Sequence, residues 1–451
     1  MRDLLARAAE LAADHRESLA DRPVVPAAGQ AALRDGFGGP LPKEPSPPSE
    51  VLEQLARAAE PGLMATAGPR FFGFVIGGSL PAPTAAEVLV AGWDQNAFNA
   101  VLSPAAAAAE DVAGGWLKEL LGIPATASAG FVTGGQAANI AGLAAARHHV
   151  LAEAGWDVER DGLFGAPRVR VLASAERHAT IDRALRLLGF GTAAVEEVAA
   201  GPQGAIDVAD LARKAGDGPT IVCLQAGNVN TGACDDIRAA RAAAKNAWIH
   251  VDGAFGLWAA ANPATAALLD GVELADSWAC DGHKWLNVPY DSGFVFCARP
   301  DVHAAAFAHR AAYLTGAGEV SGMGDLTLES SRRARGFAVW AALRELGRDG
   351  VAELVDRCCR LARRFAGALA EGGAEIANDV VLNQVLVSFG DDARTEAIVT
   401  AVQRDGTCWL GGTTWRGRRY LRISVSGWST TEADVDRSAA AILRLAAERP
   451  Q

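Results

Sequence analysis

The sequence predicts an α/β protein in which a mostly parallel sheet carries helices on both faces, preceded by a helical arm and followed by a small α+β domain. Three observations lead there. From about residue 83 to 300, Ala/Leu-rich helical segments alternate with short β-branched or apolar runs: Val169-Arg-Val-Leu-Ala, Thr220-Ile-Val-Cys-Leu, Ala247-Trp-Ile-His-Val and Ser292-Gly-Phe-Val-Phe-Cys. Strands that alternate with helices are joined by crossovers, and crossovers lay helices over both faces of a parallel sheet. After Arg332 the pattern changes to a long helical stretch, a helix over 351–371, strand-like segments at 380–389, 407–410 and 420–426, and a closing helix at 431–447. The length, 451 residues, leaves room for about three domains at roughly 150 residues each. We expect an arm over 1–80, a large domain over 81–335 and a small domain over 336–451.

The chain opens with a helix to about Leu19. Its apolar face, Leu4, Leu5, Ala8 and Leu11, is interrupted by charge, which is not the core of a signal peptide. Prolines and glycines at 23–26 and 36–48 deny the following connector regular structure. A second helix signal, Ser49-Glu-Val-Leu-Glu-Gln-Leu, precedes a loop holding Pro69-Arg-Phe-Phe-Gly-Phe, and the main body begins after it.

Composition narrows the function classes. Half of the residues are hydrophobic and 21% are charged, the balance of a globular chain and not of a disordered one. With 42 basic and 53 acidic residues the net charge is −11, which argues against a nucleic-acid footprint or a polybasic membrane surface. No apolar run reaches the roughly 18 residues of a membrane span. Seven scattered cysteines without a CxxC pair suggest reduced thiols. The expectation is a cytoplasmic protein with a small-molecule partner, no nucleic acid and no membrane. His148 and His149 lack a partner at metal spacing, so no metal is expected; Cys358-Cys359 read as packing, and Trp409 and Trp415 as core or interface residues.

The segment richest in chemistry is Trp248-Ile-His-Val-Asp252-Gly-Ala254, followed by Asp281-Gly-His283-Lys284-Trp285. A carboxylate at the carboxyl end of a parallel strand points into the crevice where α/β proteins bind ligands. There Asp252 suits a protonated pyridine nitrogen, which it keeps charged so that the ring can act as an electron sink. Lys284, flanked by His283 and Trp285, is expected to have its amine pKa lowered by desolvation and nearby cations, as an imine-forming lysine needs. Thr133-Gly134-Gly135-Gln136 enters an Ala-rich helix, where glycines allow a close approach and the first amides can hold a phosphate.

On His250-Val-Asp252-Gly-Ala254, Asp281-Gly-His283-Lys284-Trp285, Pro69-Arg-Phe-Phe, Leu102-Ser-Pro104 and Thr133-Gly-Gly-Gln-Ala-Ala-Asn139, the chain resembles the group II pyridoxal-phosphate decarboxylases, the family of aromatic-amino-acid, histidine and glutamate decarboxylases. The resemblance covers nearly all of the chain. It implies the fold type I architecture of pyridoxal 5'-phosphate enzymes with a seven-stranded, mostly parallel sheet, and a homodimer whose sites lie at the interface. It implies that Lys284 holds the cofactor as an internal aldimine, that Asp252 contacts the pyridine nitrogen and that Ala254 packs on the ring. His178, in Ser174-Ala-Glu-Arg-His178, would stack on the other ring face; alone it would read as a helix cap or a core histidine. Gly135, Gln136 and His283 would meet the phosphate. Asp281 is expected to face elsewhere, because a carboxylate repels phosphate. Asn230 falls where the family has a polar residue beside the cofactor, with an Asx turn as the alternative reading. Arg422, basic in an apolar run, is the candidate for the substrate carboxylate. Phe74 and Trp93 would suit a neutral, aromatic side chain.

One departure bears on the outcome of the reaction. The family carries a loop tyrosine, before an Arg-Arg pair, that protonates the carbanion. The stretch 317–331 before Arg332-Arg333 has no tyrosine. Tyr313, upstream, could deliver the proton, as could His178 or water. Decarboxylation to an amine is the reading adopted; oxidative deamination to an aldehyde, or carbon–carbon lysis as in sphingosine-phosphate lyases, are the alternatives.

Overall fold

The computed structural model describes residues 1–308 and 322–448. Its helices are α1 (Arg2–Ser18), α2 (Gln30–Phe37), α3 (Pro48–Ala59), α4 (Pro81–Trp93), α5 (Pro104–Leu121), α6 (Gly135–Glu153), α7 (Val158–Asp161), α8 (Ala179–Leu187), α9 (Val208–Lys214), α10 (Ile237–Ala243), α11 (Pro300–Ala305), α12 (Gly336–Glu371), α13 (Asp392–Asp405) and α14 (Glu432–Ala447). Its strands are β1 (Ser128–Val132), β2 (Arg170–Ser174), β3 (Val195–Val198), β4 (Thr220–Gln225), β5 (Trp248–Asp252), β6 (Ser277–Asp281), β7 (Gly293–Cys297), β8 (Glu375–Ile376), β9 (Gln384–Ser388), β10 (Gly411–Trp415) and β11 (Arg418–Ser424).

The chain divides into two units. One comprises 79–363 with 378–385, the other 1–78 with 364–377 and 386–451. The larger holds the seven-stranded sheet, in the order β1-β7-β6-β5-β4-β2-β3. From β6 to β3 every neighbouring pair is parallel, while β7 runs antiparallel to both β1 and β6. Strands β4 to β7 are buried along their whole length, as a sheet covered on both faces requires. Helix α6 lies on this sheet with twelve buried residues, most of them Ala or Gly, which lets its backbone come close.

A buried ion pair organises the larger unit. Arg332 Nη1 and Nη2 donate to the Glu110 carboxylate on α5 at 2.9 and 2.5 Å, and Nη1 also donates to the Phe131 carbonyl of β1. The side chains are 1% and 5% exposed. Burial pushes the Glu110 carboxyl up, while the Arg332 charge and hydrogen bonds pull it down.

The smaller unit contains the N-terminal helices together with a four-stranded sheet in the order β10-β11-β9-β8, with β10–β11 and β8–β9 antiparallel. Arg70, 2% exposed, ties the two ends of the chain: its guanidinium donates to the carbonyls of Thr407, Ala20 and Arg22 and lies 3.5 Å from Asp434. Trp415 is buried against Tyr420, and Trp409 stacks on Phe71 with ring centroids 5.0 Å apart.

The strand expected at 407–410 forms at 411–415 instead, and α2 interrupts the Pro-rich connector. The two helices expected after Arg332 run end to end as α12, with a break at Gly347, φ +61°.

Because a buried charge without its partner is costly, Arg332→Met is expected to lower stability by about 3–5 kcal/mol, read from urea unfolding. A loss below about 1 kcal/mol, the ordinary effect of a point mutation, would mean that Glu110 finds another partner.

Candidate active site

Strand β5 ends in Asp252, 5% exposed. Its Oδ2 accepts from Asn139 Nδ2 at 3.1 Å and Thr180 Oγ1 at 3.4 Å, and its Oδ1 from the Ala254 amide at 3.3 Å. The Asn139 side-chain amide and the Ala254 backbone amide can only donate to the carboxylate. Strand β6 ends in Asp281, 1% exposed, and the turn after it carries His283 and Lys284. The two acids stand on adjacent strands of the sheet, at the carboxyl edge where a crevice is expected.

Asp281 faces into this crevice, contrary to the expectation that it would turn away. Its Oδ1 accepts from the Gly135 amide at 2.5 Å and lies 3.3 Å from His283 Nε2; its Oδ2 lies 3.0 Å from Lys284 Nζ. The physical reason is local: the amino end of α6, with its exposed amides and positive dipole end, and the lysine ammonium both attract a carboxylate.

Lys284 likewise departs from expectation. Burial is the largest single influence and would lower its pKa, but the Asp281 charge and hydrogen bond, with the Asp252 charge, together hold it above the usual lysine range. Its neighbours are anions, where cations were expected. His283 is lowered mainly by burial. Its Nδ1 accepts from the Ser292 amide at 3.2 Å, which leaves the ring proton on Nε2, 3.3 Å from Asp281 Oδ1, while Tyr290 stacks on the ring at 4.3 Å.

Gly134 and Gly135 pack closely against the end of β6 and the turn after it. Gly134 has φ +158°, and a Cβ there would lie 2.7 Å from His283 Cε1; a Cβ on Gly135 would lie 2.9 Å from Asp281 Oδ2. Gln136 beside them donates to the Thr180 carbonyl at 3.2 Å. Across the pocket, His178 caps α8: its Nδ1 accepts from the Thr180 amide at 3.3 Å and sits 2.8 Å from Thr180 Oγ1. The cap reading therefore holds for Nδ1, while the ring also lines the pocket.

One pocket gathers Gly135, Gln136, His178, Asp252, Ala254 and Lys284, with His283 behind Asp281. Its wall at the loop after β4 is Gly227 and Val229. Asn230 lies just beyond that wall, with its amide donating to Asn228 Oδ1 at 2.9 Å in an Asx turn. Trp93 is 51% exposed at the end of α4 with its ring against Phe337, and it does not line this pocket. Phe74 and Arg422 belong to the smaller unit. Phe74 there has φ +55° and faces Trp409 at 5.2 Å, while burial lowers the Arg422 pKa. Tyr313 lies outside the described residues. Asn139, Thr180 and Asp281 were not assigned a site role from the sequence; Asn139 stands four residues, about one helical turn, after Gly135, and is the one polar side chain between Gln136 and Arg147 on α6. A larger cavity, about 400 Å³, lies at the amino edge of the sheet beside Trp248, Arg241 and Arg299, far from these groups.

The arrangement fits pyridoxal phosphate: a buried acid for the ring nitrogen, an amine for the aldehyde, and glycine amides at a helix start for the phosphate. Among the described residues no group of three or more His, Cys, Asp or Glu side chains is arranged to hold a metal ion.

Comparison with known proteins gives the same answer. The conserved domain of pyridoxal-dependent decarboxylases matches residues 32–390. The chain is 29% identical over 384 residues to an aromatic-L-amino-acid decarboxylase of Bacillus atrophaeus, covering 82% of this chain and 78% of that protein. It is 26% identical over 448 residues to a 4-hydroxyphenylacetaldehyde synthase of Rhodiola rosea, covering 93% and 89%. A crystal structure of Oryza sativa TDC with PLP and tryptamine superposes with a TM-score of 0.92 at 24% identity over 99% of this chain and 97% of that one, a likeness of fold. With about four-fifths of its length matched to the conserved domain, the chain belongs to the pyridoxal-dependent decarboxylases, carboxy-lyases whose cofactor is pyridoxal 5'-phosphate.

Proposed function

We propose that this enzyme decarboxylates a neutral, aromatic L-amino acid to its amine and CO2, using Lys284, Asp252 and His178. The observation that carries the reading is the convergence of these three groups with the amino end of α6 in one pocket at the carboxyl edge of the sheet. The cofactor, when bound, supplies an electron sink for the pair left behind as CO2 departs. Asp252, facing the amide of Asn139, would pair with the ring nitrogen and keep its proton. Lys284 would supply the amine that ties the cofactor to the chain. Gly135 and Gln136 would hold the phosphate with backbone amides, and His283 would add a donor. His178 and Ala254 would pack against the ring, with His178 oriented by its contacts with Thr180.

From the sequence we assign, within the same proposal, Arg422 to the substrate carboxylate, Phe74 and Trp93 to its side chain, and Asn230 to the cofactor surroundings. Tyr313 or His178 returns the proton to the α-carbon. We further propose that the enzyme is a cytoplasmic homodimer. A second reading draws on the missing tyrosine in 317–331 and on likeness to an aldehyde synthase: the amino acid, O2 and water give an aldehyde, CO2, ammonia and hydrogen peroxide.

Incubating the cofactor-loaded protein in air with the proteinogenic amino acids, with mass spectrometry of the products, separates these readings. An aromatic amine with CO2 and no peroxide is the expected result; an aldehyde with peroxide would replace the first reading by the second. Lys284→Ala is expected to abolish the visible absorption of covalently held cofactor; a variant that keeps the band and turns over normally sinks the assignment. Asp252→Ala should slow turnover at saturating cofactor by about 10²–10³-fold, the usual cost of one preorganised electrostatic group.

Asp281 places a negative charge against the first amide of the cup, so a phosphate must work against it. Asp281→Asn keeps an acceptor for Gly135 and removes the charge. Cofactor affinity, read by spectroscopic titration, is expected to rise about tenfold, or roughly 1.4 kcal/mol. Unchanged or weaker binding would mean that Asp281 cooperates with the phosphate.

A further inference from the structure

Strand β5 carries a polar face through the middle of the sheet. Trp248, His250 and Asp252 alternate on the side that meets α6, and they are 2%, 0% and 5% exposed. Trp248 Nε1 donates to Ser277 Oγ on β6 at 2.9 Å; Ser277 Oγ and His250 Nδ1 are 2.9 Å apart; His250 Nε2 and Asn139 Oδ1 are 2.9 Å apart; Asn139 Nδ2 donates to Asp252 Oδ2 at 3.1 Å. Both Ser277 and Asn139 are at most 1% exposed.

The ends of this chain set its direction. An indole can only donate and a carboxylate can only accept. Reversing the Asn139 amide would put oxygen against the Asp252 oxygen, so its NH2 faces Asp252 and its carbonyl faces His250. His250 must then donate from Nε2, which leaves Nδ1 to accept from the Ser277 hydroxyl. Burial pushes the His250 pKa down to about 4, in keeping with a neutral ring that carries one proton. Room for the ring comes from Gly142 on α6, where a Cβ would lie 2.7 Å from His250 Cε1.

We infer that Asn139, His250 and Ser277 are positioning residues whose one-way hydrogen-bond chain from Trp248 stabilises ionised Asp252 and thereby the proton on the cofactor ring nitrogen. This rests on the proposed partnership of Asp252 with that nitrogen. Donors in such a chain polarise one another, so a break several bonds from Asp252 is felt there. The titratable groups around Asp252 are Asp281 at the end of β6, Lys284 in the turn after it, His178 at the cap of α8, the thiols of Cys223 on β4 and Cys280 on β6, and His250, which alone of these belongs to the chain.

The test reconstitutes the protein with pyridoxal 5'-phosphate carrying 15N in its ring and follows ring-nitrogen protonation against pH by NMR. Asn139→Leu, near Asn in shape, removes the last donor. Its midpoint for loss of the ring proton is expected about one pH unit below that of the unmodified protein, the scale of a hydrogen bond to a charged group. Ser277→Ala, a smaller change distant from the cofactor, should shift the midpoint in the same direction by less, with kcat falling and KM nearly constant. A midpoint unmoved in Asn139→Leu overturns the inference, and one moved there but not in Ser277→Ala overturns the part of the chain beyond Asn139. Asp252→Ala is the control. If it leaves ring protonation unchanged, the partnership of Asp252 with the ring nitrogen fails, and that outcome is distinct from failure of the chain.

Discussion

Helix α6 approaches the sheet at a distance that only small side chains permit, and the site depends on that approach. A Cβ on Gly142 would meet the His250 ring at 2.7 Å, one on Gly135 would meet the Asp281 carboxylate at 2.9 Å, and one on Gly293 of β7 would meet Gly134 Cα at 2.4 Å. Backbone and buried imidazole cannot move aside as a surface side chain can, and overpacking of such a place costs roughly 1–3 kcal/mol. The close seat brings the amino end of α6 to the ends of β5 and β6 and lets a side chain as short as Asn139 reach Asp252. The glycines thus serve two ends at once, amides for an anion and space for a hydrogen-bonded core.

Charge in the pocket is balanced locally. Asp252 and Asp281 face one ammonium, Lys284, and two imidazoles that burial and hydrogen bonding keep as selective donors or acceptors. A ring with a positive nitrogen and a negative phosphate inserts into this pattern with one match and one conflict. In the proposed placement the nitrogen end would meet Asp252, and the phosphate end would meet glycine amides with Asp281 already on the Gly135 amide. Cofactor retention would then depend on the lysine linkage and the nitrogen end more than it would with a neutral residue at 281.

Much of this was legible in the sequence, for identifiable reasons. Strands β2, β4, β5 and β7 announce themselves by β-branched or apolar runs, Asp252 by its place at a strand end, and Lys284 by its flanking His283 and Trp285. Strands β1, Ser-Ala-Gly-Phe-Val, and β6, Ser-Trp-Ala-Cys-Asp, carry few β-branched residues, and tertiary burial overrides their weak propensity. Gly411-Gly412 hid the start of β10, which moved that strand past 407–410. Asp281 turns into the crevice because the helix amides and the lysine attract a carboxylate, which repulsion by a phosphate alone does not foretell. The lysine shift took the opposite sign for the same reason. Asn139 carried a readable signal, a lone amide on an alanine helix one turn past the glycines, but its partner His250 is fixed only by the tertiary approach of α6.

A strand in the middle of a sheet covered on both faces is ordinarily apolar throughout. Strand β5 obeys this on one face, with Ile249 and Val251 both fully buried, and breaks it on the other with Trp248, His250 and Asp252. Each buried polar group carries a desolvation cost that only a complete set of partners offsets, and a network with a missing link is worse than hydrocarbon. The polar face is therefore tolerable only as a whole, from the indole that can only give a proton to the carboxylate that can only take one. Apolar residues would have served packing at least as well, so the polar stripe marks where the fold yields stability to chemistry. It ends at Asp252, the residue of the strand that faces the pocket at the carboxyl edge of the sheet.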